Sequence, residues 1–564
     1  MQPYEIVLLI ITAVIIIAIT GVIISRNAKK KMYYKLLASF GQLPKNDYSY
    51  EEYESISHFF KNTLKDGEDY IDDITWNDLD MDKIFMMIDN THSSVGRDEL
   101  YKLLRKPVTD KAELEKREQL IEYFDTHEKE RTRIMMYFAG MGFVRKISIS
   151  DYMKNLFELK SGSNGSNVFH YMMWVCIIIA VLYTFFVEPI TGVMLIIVAC
   201  GMSIITYYKL KSRIDSYFEC VRQIVTMVDA AKKIKALNID ELSEYNDFFD
   251  ETIHRFAGIM HGSFVVTSAK QNNGSIGDVI MEYVKMFTHI DLIKFNSILK
   301  NFNRNYEHVT KMMDTLGYIE AMISVASFRH LLPYMCTPEF TDGSSMKIKD
   351  VYHLALNSPV ANSLDESKPV LITGSNASGK STFLKSVAIN ALLAQTVNTC
   401  PAEEYSAPFY RIYSSMALAD NIEAGESYYI VEIKSLKRIV DAAGKPGAKV
   451  LCFIDEVLRG TNTVERIAAS SEILKNLASN GVMCFAATHD IELTHILEDY
   501  YSNYHFTEEV EDDNVVFSYV LQNGRATSRN AIKLLKIIGY DNAIIDNSKR
   551  RADDFINTGV WRKC

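Results

Sequence analysis

Residues 371–382, LITGSNASGKST, constrain this chain more than any other stretch. Residues 369–373 form a short apolar run rich in β-formers, which reads as a buried strand. Gly374, Gly379, Lys380 and Ser381 then fit G-x-x-x-x-G-K-[ST], and FLKSVAINALLAQTV continues with helical apolar spacing. Strand, glycine loop and helix in that order make a phosphate-binding loop. Its backbone N–H groups, together with the helix N-terminus, present positive charge to phosphate oxygens. The loop is Gly374, Ser375, Asn376, Ala377, Ser378, Gly379, Lys380, Ser381 and Thr382. Lys380 is expected to reach the β- and γ-phosphates of ATP, and the Ser381 hydroxyl to ligate Mg²⁺.

From about residue 337 onward, short apolar strands alternate with helices, as a parallel α/β sheet requires. The strand at 450–454 ends in Asp455-Glu456, where a P-loop enzyme holds its metal. Asp455 is therefore read as the second Mg²⁺ residue, and Glu456 as the group that orients or deprotonates the attacking water. A further strand, 482–487, ends in Thr488-His489-Asp490, which places His489 to bond the γ-phosphate or the water. The fold class expected is an α/β P-loop NTPase domain, preceded by an all-α region and three transmembrane helices.

The membrane reading rests on charge patterning. Residues 6–24 carry no charge over 19 positions, enough to cross a bilayer core, and Arg26, Lys29, Lys30, Lys31 and Lys35 follow directly. Two more apolar runs, 169–187 and 190–208, flank Glu188-Pro189 and read as a helical hairpin closed by Lys209, Lys211 and Arg213. The positive-inside rule then gives a multi-pass protein of the cell membrane. Its N-terminus is outside and its ATPase domain is cytoplasmic. The expected organisation is an anchor helix at 1–26, a helical region at 27–165 and the hairpin at 166–209. A helical core follows at 210–335 and the ATPase domain at 336–564. Residues 276–332 read as one long helical stretch. Its stripe of Tyr283, Phe287, Ile290, Ile298, Phe302, Tyr306, Val309 and Met313 is expected to be packing core. Basic residues number 61 against 71 acidic ones, a net charge of −10, so any DNA contact must come from a local patch. The eight cysteines are scattered without a C-x-x-C pair, which points to neither a metal site nor a disulfide framework.

The ordered motifs GSNASGKST, PAEE at 401–404, DNIEAGESYYIVEI at 420–433, FIDEVLRGTNT at 453–463 and ATHDIEL at 487–493 resemble the ATPase domain of the MutS family, relatives of the ABC ATPases. The family's loop usually has Pro-Asn-Met where this chain has Ser375-Asn376-Ala377. The resemblance extends upstream to LDMDKIFMMIDNTHSSVGRDELYKLLRKPV at 79–108, where Asp89, Thr91, Gly96, Leu100 and Pro107 match and Ser93 and Asp98 depart. It also covers TLGYIEAMISVA at 315–326 and ALNSPVANSL at 355–364, with Asn362 on the adenine side. The resemblance implies ATP hydrolysis with Mg²⁺ at a composite homodimeric site. There Ser427 reaches the partner's γ-phosphate, and Arg459, Thr461 and Asn462 lie in the loop crossing the interface. It further implies coupling to DNA. Only about 50 residues separate the first apolar span from the start of the core, too few for the domains with which relatives read mismatches. Mismatch recognition is thus not expected, and a mechanical ATPase acting on a protein partner is the alternative.

Overall fold

The computed structural model of the protein describes residues 3–144, 148–158, 167–260, 276–375, 378–416, 428–459, 461–511, 514–526, 532, 535 and 538–561. Asn376, Ala377 and Ser427 lie outside the described residues. The chain forms two compact units: residues 1–66, 86–102 and 117–331 make the first, and residues 67–85, 103–116 and 332–564 the second.

The second unit is mixed α/β. Its larger sheet uses β4 (Val370–Thr373), β6 (Tyr410–Ser415), β7 (Lys449–Asp455), β8 (Met483–Thr488), β9 (Ser502–Glu511) and β10 (Asn514–Asn523), in the order β10-β9-β4-β8-β7-β6. All its pairs are parallel except β9 with β10. A smaller sheet orders β1 (Glu339–Phe340), β5 (Glu404–Ala407), β2 (Met346–Val351) and β3 (Asn362–Glu366) as β1-β5-β2-β3. Helix Lys380–Val397 packs against strands of both sheets. Covered on both sides, it is buried around nearly its whole circumference, polar residues Asn390, Gln395 and Thr396 included. Gln395 meets its need for partners on the backbone of Tyr410, accepting from N–H at 2.7 Å and donating to C=O at 2.8 Å.

Two N-terminal segments belong to this unit. Asp78, on helix Asp73–Asp78, accepts from Ser414 Oγ at 2.6 Å and from the Met416 amide at 2.9 Å, finishing the open end of β6. Buried Arg105 pairs with Asp73 and stacks on Trp76 at 4.8 Å, and the Val108 amide donates to Gln395 O at 2.8 Å.

The first unit is helical, and its core holds Phe59, Phe124, Phe138, Phe249, Phe256, Phe295 and Phe302. Among the described residues, two helices are long and apolar enough to cross a membrane, at Val168–Phe186 and Pro189–Ser212, with mean hydropathies of 2.0 and 2.1. The expected third span, 6–24, is not among them. It forms the first part of a single helix, Pro3–Ser39, whose side chains are described chiefly from residue 19. Pro189 sits at the first helical position after the Glu188 cap, where its missing N–H has no intrahelical partner to lose. From there the helix runs unbroken to Lys235, 47 residues and about 70 Å.

The stretch 276–332 departs from expectation. It is three helices, Ile276–Thr288, Ile290–Arg304 and Tyr306–Arg329, broken at left-handed His289 (φ 54°) and at Asn305. Ile298, Phe302, Val309 and Met313 are core as the spacing predicts, whereas Tyr283 is 57% exposed and Ile290 36%. The turn at His289 changes which face of the chain meets the core.

A buried acid ties helix Tyr306–Arg329 to residues 92–96. Glu320 accepts from the His92 amide at 2.6 Å and from Ser93 Oγ. It passes so close to Gly96 that a Cβ there would lie 2.0 Å from its oxygen, so only glycine fits. Burial pushes the Glu320 carboxyl up to about 8, with Asp89 adding to the rise and the two hydrogen bonds opposing it. A folded-state value above the unfolded one makes this group's stabilising contribution complete below about 4.5. It is lost as pH rises from there through about 8. Glu320→Gln keeps an acceptor for His92 and gains a donor to Ser93. It should therefore flatten the fall in stability between pH 5 and 8, by on the order of 2–4 kcal/mol at the alkaline end. Melting of wild-type and variant protein across that range checks this, and parallel curves would refute it.

Candidate active site

The phosphate loop follows the C-terminal end of β4. Gly374 has φ 146°, and a Cβ there would come within 2.8 Å of Ser378 Oγ and 2.9 Å of Phe506 O. Ser378 turns the loop back by bonding Ser375 O through its amide (3.2 Å) and its hydroxyl (2.8 Å). Lys380, 3% exposed, donates from Nζ to Gly374 O at 2.7 Å and Ser375 O at 2.8 Å. Burial lowers the Lys380 ammonium below its ordinary range, against the upward pull of Asp455, Glu456 and Glu508.

Parallel pairing brings the other strand ends to the loop. Asp455, at the end of β7, stands opposite Ala487 of β8, and Thr488 stands opposite Thr373 of β4. Ser381 Oγ donates to Asp455 Oδ2 at 2.5 Å. A hydroxyl and a carboxylate converging on one point are the hard oxygen donors that Mg²⁺ takes, so these residues fit the ion. Glu456 has left-handed geometry (φ 60°), and so does Leu458 (φ 57°). Strain of this kind concentrates at functional sites. The Glu456 amide donates to Ala487 O at 3.0 Å, which aims its carboxylate at the neighbouring strand end. There Oε1 meets His489 Nε2 at 2.8 Å, while Oε2 meets Arg459 Nε at 2.9 Å. Asp490 instead grips Arg466 through two bonds of 2.6 and 2.9 Å, which anchors the turn that carries His489.

A cavity of about 480 Å³ opens beside the loop, lined among others by His353, Asn362, Lys380, Thr382, Phe506 and Tyr519. Asn362 helps to shape the wall. Its amide donates to Tyr519 O at 3.1 Å and its carbonyl accepts from the Leu521 amide at 2.7 Å, clamping the bulge in β10. Burial lowers the His353 imidazole, favouring its neutral form.

The fold thus gathers Lys380, Ser381, Asp455, Glu456 and His489 at one sheet edge and sets Asn362 in the adjoining wall. Asn462 caps helix Thr463–Ser479, its carbonyl accepting from the Val464 amide at 3.0 Å. Sequence reasoning missed His353, Tyr519 and Glu508. Glu508 accepts from Ser375 Oγ across 133 residues of chain, and Tyr519 reaches the loop only because β10 bulges between Phe517 and Leu521. No local pattern marks either residue. If the Tyr519 ring, which faces Gly379, stacks on a base, Tyr519→Ala should weaken adenine-nucleotide binding by about tenfold, within the roughly 1–3 kcal/mol of a base–aromatic stack. Titration with a fluorescent ATP analogue measures it, and unchanged affinity would remove Tyr519 from the site.

Comparison with known proteins agrees with this geometry. Residues 370–555 match the family described as MutS domain V. The chain is 31% identical over 280 residues to MutS protein homolog 4 of Mus musculus, covering 43% of this chain and 29% of the relative. It is 30% identical over 300 residues to MutS protein homolog 4 of Homo sapiens, covering 47% and 31%. To the DNA mismatch repair protein MutS of Thermosipho melanesiensis it is 28% identical over 272 residues, covering 46% and 32%. The chain spans about a third of the length of these curated relatives. With the loop and strand-end residues in the family's order, residues 370–555 of this chain are a MutS domain V.

Proposed function

We propose that the protein is a membrane-anchored, Mg²⁺-dependent ATPase working as a homodimer, with its nucleotide cycle coupled to DNA. The observation that carries this reading is the convergence of Lys380, Ser381, Asp455, Glu456 and His489 beside the cavity. Lys380 and the loop amides bind the triphosphate. Ser381 and Asp455 hold Mg²⁺, which when bound neutralises phosphate charge as it develops. Glu456 takes the proton of the attacking water, and His489, 2.8 Å from it, orients its carboxylate. Ser427, with the loop of Arg459, Thr461 and Asn462, completes the partner's site. The hairpin and the first helix hold the ATPase unit to the cytoplasmic face, with the N-terminus outside.

A second reading, a mechanical ATPase that acts on membrane helices or a protein partner without DNA, is favoured by one feature. Helix Pro189–Lys235 continues from the apolar hairpin into the helical core without a break, so a displacement at one end is carried to the other. The readings part on DNA binding by the solubilised chain. Phosphate contacts make affinity fall steeply between 50 and 200 mM salt, by about 10³-fold or more for six contacts. An absence of binding at low salt would leave the mechanical reading.

Glu456→Gln tests the chemistry and the dimer together. The amide keeps hydrogen bonds to its neighbours but cannot accept the water's proton. ATP should still bind, turnover should fall about 10²-fold or more, and the dimer should persist with ATP in sedimentation of the detergent-solubilised protein. Undiminished turnover would remove Glu456 as the base. A variant that stays monomeric in saturating ATP would break the composite site.

A further inference from the structure

Helix Ile276–Thr288 and the turn after it are inverted relative to a soluble surface helix. Tyr283 (57% exposed), Val284 (39%) and Ile290 (36%) face outward, while Lys285, His289 and Asp291 are buried. Water rewards the opposite arrangement. The buried groups are paired. Lys285 Nζ meets Glu282 at 3.0 Å, Asp291 accepts from Tyr207 OH at 2.8 Å, and Lys211 stands 3.9 Å from both acids.

The end of this helix gives an independent indication. The last carbonyls of a helix have no intrahelical partner, and on a soluble surface water serves them. Here the apolar hairpin supplies the donors. Trp174 Nε1 bonds Thr288 O at 2.5 Å, and Ser203 Oγ bonds Met286 O at 3.2 Å and Phe287 O at 3.3 Å. His289 is tied the same way, through His170 Nδ1 at 2.9 Å and Ser203 O at 3.1 Å. Trp174 lies about 9 Å, and Ser203 about 13 Å, along their helices from the ends of the apolar segments at Val168 and Ser212. The turn at His289 therefore docks within the hairpin's apolar length. Its backbone is satisfied by protein, as irregular backbone at membrane depth must be. The outward apolar face continues that of the hairpin, where Tyr208, 56% exposed, bonds Met286 Sδ at 3.4 Å.

We propose that this elbow, residues 281–292, is a re-entrant membrane element. Tyr283, Val284 and Ile290 contact lipid in the cytoplasmic leaflet, and the polar cluster behind them seals the elbow to the hairpin. Tyr208 and Tyr283 lie where aromatic rings favour the interface. The inference rests on the hairpin's spanning the membrane. If it holds, the ATPase chain meets the bilayer through the helical core as well as through its anchor helices.

The test uses the full chain reconstituted in phosphatidylcholine vesicles with a carbene-generating photolabel dissolved in the lipid, followed by peptide mapping. Label is expected on Tyr283, Val284 and Ile290 at the level found on Ile178 and Ile179 of the hairpin. Val464, an exposed apolar residue of the ATPase unit (76%), should remain unlabelled. Label on the hairpin but not on the elbow would overturn the inference, place protein such as a second copy on that face, and leave the anchor intact. No label on either would overturn the membrane reading with it.

Discussion

The parallel hydrogen-bond register of β7, β8 and β4 is what the α/β unit depends on. Asp455 stands opposite Ala487, and Thr488 opposite Thr373, so three strands stop at one level and deliver an acid pair, a histidine and the phosphate loop to one crevice. A one-residue slip in any of these strands would turn each following side chain to the other face. Close packing against both faces opposes it. Strands β4 and β8 are buried along their whole length, and β7 along all but its two ends. The left-handed backbone at Glu456 and Leu458 depends on the same frame, since each such residue costs of order 1–3 kcal/mol. Leu458 offsets part of that by burying its side chain in the cluster formed with Val457, Leu474 and Leu477.

Segments far off in sequence supply the rest of the frame. Asp78 finishes β6 just before the segment that carries Ser427, and Lys385 pairs with Asp80 at 2.6 Å one turn beyond Ser381. Residues 67–85 therefore belong to the α/β unit by contact although they lie far upstream of its main body, residues 332–564. One corner of the helical unit, whose core is otherwise apolar, is arranged in the opposite sense. Around His170, Ser203, Tyr207, His289 and Asp291, polar groups face inward and find protein partners, and apolar groups face out. That ordering is stable where the surroundings offer no hydrogen bonds.

Much of the site was legible because its chemistry is local. The loop's glycines, Lys380 and Ser381 occupy consecutive positions, and Asp455-Glu456 and His489 each end a strand that apolar run length reveals. What stayed hidden lay in pairings between distant residues. Glu508, His353 and Tyr519 look like ordinary strand and loop residues until β9, the turn after β2 and the bulge in β10 bring them to the loop. The stripe from Tyr283 to Met313 shows the opposite failure. Helical spacing persists across it, but the left-handed His289 turns its first part outward.

The sequence by itself determined the phosphate loop, the strand-end acids, the apolar runs of the hairpin and the resemblance of its last third to MutS domain V, since each is written within a few consecutive turns or one strand. The tertiary structure alone decided which units the segments 67–85 and 103–116 join, what walls the cavity, and that Tyr283 faces out while Lys285 faces in. Those outcomes depend on side chains brought together from separate segments and on the solvent each face meets, and period and composition encode neither.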